Sequence, residues 1–310
     1  MLLQNENLSK LIDTLDLEAL NRLAIPAARV QNRSLSFRSC LMLSTHNLKH
    51  LGKIPMLNAE CIILNLEDGV SAQQKPYALR LCAIALSTFP KLDKKLVVRI
   101  NALDEGGIEE IAYLNPFMPD AIRIPKIRSV EEIQKALELI DENIEVHLSI
   151  ETKEAWLALG ALAIHPRVKA YYLGVLDLFA DLGLSQSLLT PDNPTMQYML
   201  SHFMMTSRAC GVKPVSFVYQ DYKNNDGFRH WLELEKMIGL AAKGCITPDQ
   251  VTLIHEILGH SETEMQRCRE IVKLFEEQKT NGVTGFVDER YGFIDEPIYK
   301  GALAVLKNLP

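Results

Sequence analysis

Charged side chains stand where short apolar runs end. Glu67 and Asp68 follow CIILNL (61–66), Arg99 lies inside LVVRI (96–100), and Lys126 follows AIRIP (121–125). Glu151 follows VHLSI (146–150), and Asp177 comes just after AYYLG (170–174). A buried run needs a turn where it ends, and Asp-Gly at 68–69 is turn chemistry. That accounts for the acids alone. It does not account for Arg99, whose neighbours Val97, Val98 and Ile100 belong in a core, where a charge needs a partner or a ligand. One reading is an internal ion pair with Glu67, Asp68 or Glu151. The other is a functional site, because charges perturbed in this way gather at such sites. Glu151 and Asp177 come from adjacent runs. Two hard carboxylate oxygens, with waters and a substrate oxyanion, suit Mg2+, and without thiolate or imidazole zinc and copper fit poorly. Such an ion would polarise the oxygens of a 2-oxo or 2-hydroxy acid while Arg99 grips the carboxylate in a bidentate way.

Positioning those groups takes a repeated scaffold. Eight apolar runs begin at Ser39, Cys61, Leu96, Ala121, Val146, Ala170, Lys213 and Lys243, and helical patterns fall between most of them. Clear helices are expected over 72–88, 130–141, 153–165, 195–210, 228–242, 249–259 and 261–278, the last with Ser261 and Glu264 spaced as a capping box. The alternation predicts a parallel (β/α)8 TIM barrel, whose functional groups come from the C-terminal ends of its strands. An open doubly wound sheet is the runner-up. It would fit fewer strands and favours a glycine-rich first turn, but no G-x-G-x-x-G occurs, and Gly106-Gly107 reads as a loop. Residues 1–37 read as an N-terminal helical extension, 38–279 as the barrel, and 280–310 as a hairpin and helix that could serve as a lid or an oligomer contact.

Bulk properties narrow the function. The chain has 310 residues, 47% of them hydrophobic, and a formal charge of −6 with both signs interspersed. No basic stripe points to nucleic acid, and no long apolar window points to a membrane span. The acidic, amphipathic N-terminus lacks signal-peptide features. Cysteines at 40, 61, 82, 210, 245 and 268 form no C-x-x-C pair and read as buried reduced thiols of a cytoplasmic protein. The histidines show no zinc spacing; His46, His50, His165 and His255 read as surface or capping residues. Trp156 and Trp231 read as packing, and one of Tyr171-Tyr172 should reach the barrel interior.

The order of the motifs adds a resemblance. RSCLML (38–43), IILNLEDGV (62–70), VVRIN (97–101), IRIPKI (122–127), SIET (149–152), LGVLDLFADLG (173–183), KGCITPDQV (243–251) and FIDEPIYKGA (293–302) resemble the successive signatures of the citrate lyase beta-subunit-like family. That family lies in the HpcH/HpaI aldolase superfamily, beside malyl-CoA and citramalyl-CoA lyases. The resemblance implies a metal-dependent barrel that makes or breaks a carbon–carbon bond next to a carbonyl, on a CoA thioester and a 2-oxo acid. It implies Glu151 and Asp177 as Mg2+ ligands and Arg99 on the oxo-acid carboxylate, with Glu67 and Asp68 around the metal holding its waters and Arg99. It implies Asp295 as the acid/base brought by the C-terminal lid, often of a neighbouring subunit, and Arg38 near the thioester or phosphate end. Lys126, Gly174 and Val175 fall in its substrate-binding motifs. A homo-oligomer, a trimer by resemblance, is expected.

The chain also departs from the pattern. Ser44-Thr45 replaces the usual Pro-Gly after the first strand, Asn65 replaces an acid, Thr247-Pro248 replaces His-Pro, and Ala242 stands where glycine is common. The first change lies where CoA would approach. Two alternatives therefore stay open: an aldolase acting on a free 2-oxo acid without CoA, and a barrel that binds 2-oxo acids with little turnover.

Overall fold

The computed structural model describes residues 16–26, 31, 36–259 and 262–307. Eight parallel strands run in chain order: β1 (Ser39–Ser44), β2 (Cys61–Asn65), β3 (Lys95–Arg99), β4 (Ala121–Ile124), β5 (Glu145–Ile150), β6 (Val168–Leu173), β7 (Lys213–Val215) and β8 (Lys243–Cys245). Each pairs with the next through β7, and β8 pairs with β1. A parallel bridge from Ser216 to Lys243 joins the remaining edges. The sheet is thus a (β/α)8 barrel rather than an open doubly wound sheet. Strands covered on both faces need continuous apolar sequence, which is why β2 is buried at every position.

Helices enter the barrel shell by local capping. Thr152 accepts from Ala155 N at 3.1 Å to start the helix Lys153–Leu157, and Thr247 accepts from Gln250 N at 3.2 Å to start Pro248–Ile257. Gly106-Gly107 is a correction to the expected loop. Gly106 takes φ 101°, and Gly107 opens the helix Gly107–Leu114, where a Cβ would lie 2.4 Å from the Asn101 carbonyl oxygen. The helix expected over 153–165 is shorter, ending at Leu157, with a single 3-10 turn at Leu159–Ala161. A further short helix, Val175–Asp181, was not expected. Of the N-terminal extension, the helix Leu17–Leu23 is formed; residues 1–15 and Ser261 lie outside the described residues.

The barrel interior is filled by Cys40, Cys61, Ile63, Val97, Ala121, Ala170, Tyr172, Val215 and Ala242. At the end where strands begin, Lys95 Nζ meets Glu145 Oε2 at 2.6 Å and Glu145 Oε2 lies 3.3 Å from His147 Nε2; His147 Nδ1 then lies 3.2 Å from the Oη of Tyr172, further along β6. All six cysteines are free thiols. Among the described residues no helix is long and apolar enough to cross a membrane.

The chain divides into two compact units, Met1–Leu258 and Gly259–Pro310. The second comprises the helix Glu262–Thr280, the antiparallel hairpin β9 (Gly285–Asp288) and β10 (Gly292–Asp295), and the helix Glu296–Lys307. The long helix, read above as part of the barrel, groups with the hairpin because Cys268, Ile271 and Phe275 share a core with Ile294 and Ala302.

Candidate active site

The C-terminal strand ends bring most of the predicted charges together. Arg99, the last residue of β3, is 6% exposed. Its Nη2 pairs with Glu67 Oε2, lies 3.3 Å from Asp68 Oδ2 and stands 3.9 Å from Glu151 Oε2. Lys126 Nζ reaches Glu67 Oε1 at 3.2 Å. The ion pairs weighed for Arg99 therefore all exist. They do not exhaust its hydrogen-bonding capacity: Arg99 Nε is buried without a hydrogen bond among the described residues. Such atoms are rare in folded proteins and mark places where a ligand or water belongs.

The two adjacent acids have different environments. Burial dominates at Glu67 and raises its carboxyl above the ordinary range, despite the Arg99 charge beside it. Asp68, largely exposed, also feels an upward push from burial. Its hydrogen bonding with Glu67 and the charges of Arg99 and Lys126 outweigh that push and hold it low. The turn between them is built by Asn65, whose Nδ2 donates to the Asp68 carbonyl at 2.5 Å, and by Val70 N donating to the Glu67 carbonyl at 3.1 Å. Asn101, fixed by Glu110 and Lys75, donates to the Leu66 carbonyl and ties β3 to this turn.

Glu151 follows β5 and is 2% exposed. Its Oε1 accepts from the backbone N–H of Lys126 at 2.7 Å. Lys126 adopts φ 54°, a conformation that non-glycine residues rarely take, and one backbone twist thus aims its N–H at Glu151 and its ammonium at Glu67. Gly174 completes the setting. A Cβ there would lie 2.5 Å from Glu151 Oε2 and 2.6 Å from Glu151 Cβ, so only glycine leaves that carboxylate its place. Val175, buried, begins the following helix, and Asp177 stands exposed in its first turn.

This donor set fits a hard divalent cation. Glu151 Oε2 sits in a cradle that a side chain at 174 would fill, and the carboxylate oxygens match the chemistry of Mg2+. Among the described residues no three Asp, Glu, His or Cys side chains form a metal-binding group. An ion held by Glu151 and Asp177 would complete its shell with water or substrate oxygens.

One predicted residue of the barrel stands apart from this cluster. Arg38 precedes β1, at the opposite end of the barrel from the strand C-termini. Its guanidinium is occupied by Glu60, with Nη2 to Oε1 at 2.5 Å and Nε to Oε1 at 3.1 Å, so it does not join the site. Asp295 belongs to the second unit, where its Oδ1 accepts from Ile298 N at 3.1 Å and caps the last helix. One residue was missed. Arg123 of β4 is buried, donates from Nε to Ser149 Oγ at 2.9 Å and stacks on Tyr172, its guanidinium carbon 4.2 Å from the ring centre. The signal that identified Arg99, a charge inside an apolar run, is present in AIRIP as well.

Beside the cluster lies a cavity of about 390 Å³ around the end of β1. Met42, Leu43, Leu57 and Ile246 give it apolar walls, and Ser44, His50, Lys53 and Asp68 add polar groups. The Ser44-Thr45 departure forms a pinned turn: Thr45 Oγ1 donates to the Asn65 carbonyl at 2.8 Å and is buried, leaving Ser44 on the cavity wall.

A (3S)-malyl-CoA thioesterase of Cereibacter sphaeroides is 30% identical over 247 residues, 79% of this chain and 85% of the relative. The mitochondrial citramalyl-CoA lyase of Rattus norvegicus is 27% identical over 86% of this chain and 83% of its own length. The crystal structure of CitE from Mycobacterium tuberculosis, in complex with magnesium, acetoacetate and coenzyme A, shares the fold with a TM-score of 0.69 at 22% identity, covering 88% of this chain and 98% of that one. The HpcH/HpaI aldolase/citrate lyase family model matches residues 38–248, which span β1 to β8 and every charged group of the cluster. With that match over most of its length, the chain belongs to the HpcH/HpaI aldolase/citrate lyase family.

Proposed function

We propose that this chain is a Mg2+-dependent carbon–carbon lyase that splits a 3-hydroxyacyl-CoA, or a related thioester, into an acyl thioester and a 2-oxo acid. Its family and its relatives named as lyases support the reaction class. The observation that carries the assignment to this site is Glu151: one oxygen is held by the Lys126 N–H, the other is left open by Gly174, and the unbonded Nε of Arg99 belongs to the same cluster.

In this reading Glu151 and Asp177 would hold the ion, which when bound supplies Lewis-acid stabilisation of the oxygen that becomes anionic. Arg99 takes the carboxylate of the 2-oxo acid through the donors its ion pairs leave free. Glu67 and Asp68 hold Arg99 and Lys126 in register, and Gly174 and Val175 form the wall along which the acid lies. Asp295 keeps the acid/base role that the resemblance gives it, moving a proton at the acyl carbon. The cavity supports a thioester: its apolar walls suit an acyl or pantetheine arm, and Lys53 and His50 suit an anionic carrier. A cytoplasmic homo-oligomer, trimeric by resemblance, completes the reading, and reducing surroundings suit the free thiols.

A second reading is thioester hydrolysis, favoured by the relative named as a malyl-CoA thioesterase. The two differ in products. The test incubates the protein and Mg2+ with malyl-, citramalyl- and citryl-CoA, traps 2-oxo acid as a hydrazone and titrates free thiol. Hydrazone without free thiol, lost with EDTA and in Glu151→Ala, supports the lyase. Free thiol without 2-oxo acid assigns hydrolysis and overturns it. Neither product from any thioester, with Mg2+-dependent 2-oxo acid binding retained, returns the chain to the CoA-independent alternatives.

A further inference from the structure

Arg123 is the buried charge that this reaction leaves unexplained. It pairs in register with Arg99 on the neighbouring strand, so the barrel sets two guanidinium groups side by side. Arg99 is matched by Glu67, Asp68 and Glu151. For Arg123, no carboxylate lies within ion-pair distance among the described residues. Its Nε donates to Ser149 Oγ, its face lies on the Tyr172 ring, and Nη1 and Nη2 donate no hydrogen bond among those residues. Tyr172 and Ser149 are themselves fixed, Tyr172 by His147 Nδ1 at 3.2 Å and Ser149 by its place in β5. The guanidinium is therefore held in a set orientation with its terminal nitrogens uncommitted. Burial, and then the Arg99 charge, bring its pKa down to about 10, which leaves it a cation at neutral pH.

A buried cation without a partner is costly, and placing it beside another cation adds to the cost. A 2-oxo acid with one carboxylate would be satisfied by Arg99 and the ion and would give Arg123 nothing to bind. We propose that Arg123 is a specificity-determining residue that takes the second carboxylate of a 2-oxo dicarboxylic acid. The inference rests on the reading of the site as one for 2-oxo acids and narrows its substrate class. The competing account makes Arg123 a counter-charge for Glu151, acting at longer range and indifferent to the substrate's tail.

Calorimetric titration of the full chain with Mg2+ present separates the two. The probes are oxaloacetate, 2-oxobutyrate, which is similar in length but lacks the distal charge, and pyruvate. A charge-assisted pair at Arg123 predicts that oxaloacetate binds at least about tenfold tighter than 2-oxobutyrate. In Arg123→Met that ratio falls to about one, while pyruvate affinity stays within about twofold of wild type. Arg123→Lys keeps the charge without the planar fork and should give an intermediate ratio. It also serves as the second variant if Arg123→Met does not fold, and the wild-type ratio needs no variant. Equal binding of all probes by the wild type overturns the proposal and leaves the 2-oxo acid site standing. Equal weakening of all probes in Arg123→Met overturns it in favour of the counter-charge. Binding of none of them overturns the site reading as well.

Discussion

Both ends of the barrel interior bury charge, yet they bury it differently. From where the strands begin, Lys95, Glu145 and His147 form one chain of contacts that reaches Tyr172 near the end of β6, and none of their polar atoms is buried without a hydrogen bond. Where the strands end, Arg99 Nε is buried and unbonded, Lys126 holds a left-handed backbone, and Arg123 has no carboxylate within ion-pair distance among the described residues. The same residue types thus do different work. A closed network holds the barrel shut, and an incomplete one, kept in place by its surroundings, is ready for a ligand.

Removing one charged member from each end should have the largest and most different effects. Glu151→Ala should lower Mg2+-dependent turnover by about a thousandfold, on the order of 4 kcal/mol of transition-state stabilisation, with little change in melting temperature. A large loss of stability instead would place Glu151 among the structural charges. Lys95→Met should do the reverse. It strands Glu145 in the interior with only His147, and should cost about 3 kcal/mol in denaturant unfolding while 2-oxo acid binding persists. If binding fails in Lys95→Met at temperatures where the protein is folded, the two ends are coupled and the division between them is false.

Much of the open end was legible in the sequence. Arg99, Glu67, Lys126 and Glu151 announce themselves because each interrupts or closes an apolar run, and a charge there has few explanations. Less of the closed end was legible. Lys95 and Glu145 stand at the first positions of their strands, where charge is ordinary, and only the parallel register, which sets Ala121 of β4 against both Val97 and Glu145, brings them across the barrel. Arg38 misled because a motif gives residue order and not the end of the strand it occupies; it precedes β1 and meets Glu60, which precedes β2. Gly106-Gly107 misled because glycine pairs usually mark loops, whereas here the second is needed where a helix start presses on the Asn101 carbonyl. Asp177 lies exposed in the first turn of the helix Val175–Asp181, and exposure and side-chain placement are properties of that folded turn, which residue order does not carry.

A subtler change sharpens the contrast without touching any charge. Gly174→Ala adds one carbon 2.5 Å from Glu151 Oε2, closer than real side-chain contacts come. The carboxylate must rotate or shift, although its Oε1 remains tethered to Lys126 N. Turnover should fall about a hundredfold, in line with the sensitivity of positioned groups to displacements near an ångström. The apparent Mg2+ affinity should fall with it, read by titrating Mg2+ against intrinsic fluorescence. An alanine that leaves both unchanged would show that Glu151 is not the group the ion needs.

The smallest expected effect tests whether the closed end is as purely structural as its bonding implies. Burial is the main influence on His147 and depresses its pKa below the ordinary value of 6.5, although Glu145 pulls the other way. The unfolded chain therefore takes up a proton at this residue before the folded one does. Its contribution to stability is complete above pH 6.5 and declines as the pH falls from there toward the depressed folded value, with a slope no steeper than about 1.4 kcal/mol per unit for one proton. Melting temperatures of wild type and His147→Gln, compared across that window, isolate the contribution of His147 together with the Glu145 carboxyl that it helps to hold low. The wild-type curve should fall more steeply on the acid side, and the affinity for 2-oxo acid should show no matching step. Parallel curves would mean that His147 keeps its proton balance on folding. A matching step in affinity would mean that protonation at the strand N-termini is felt through Tyr172 and Arg123 at the site, and the barrel interior would then be one electrostatic unit rather than two.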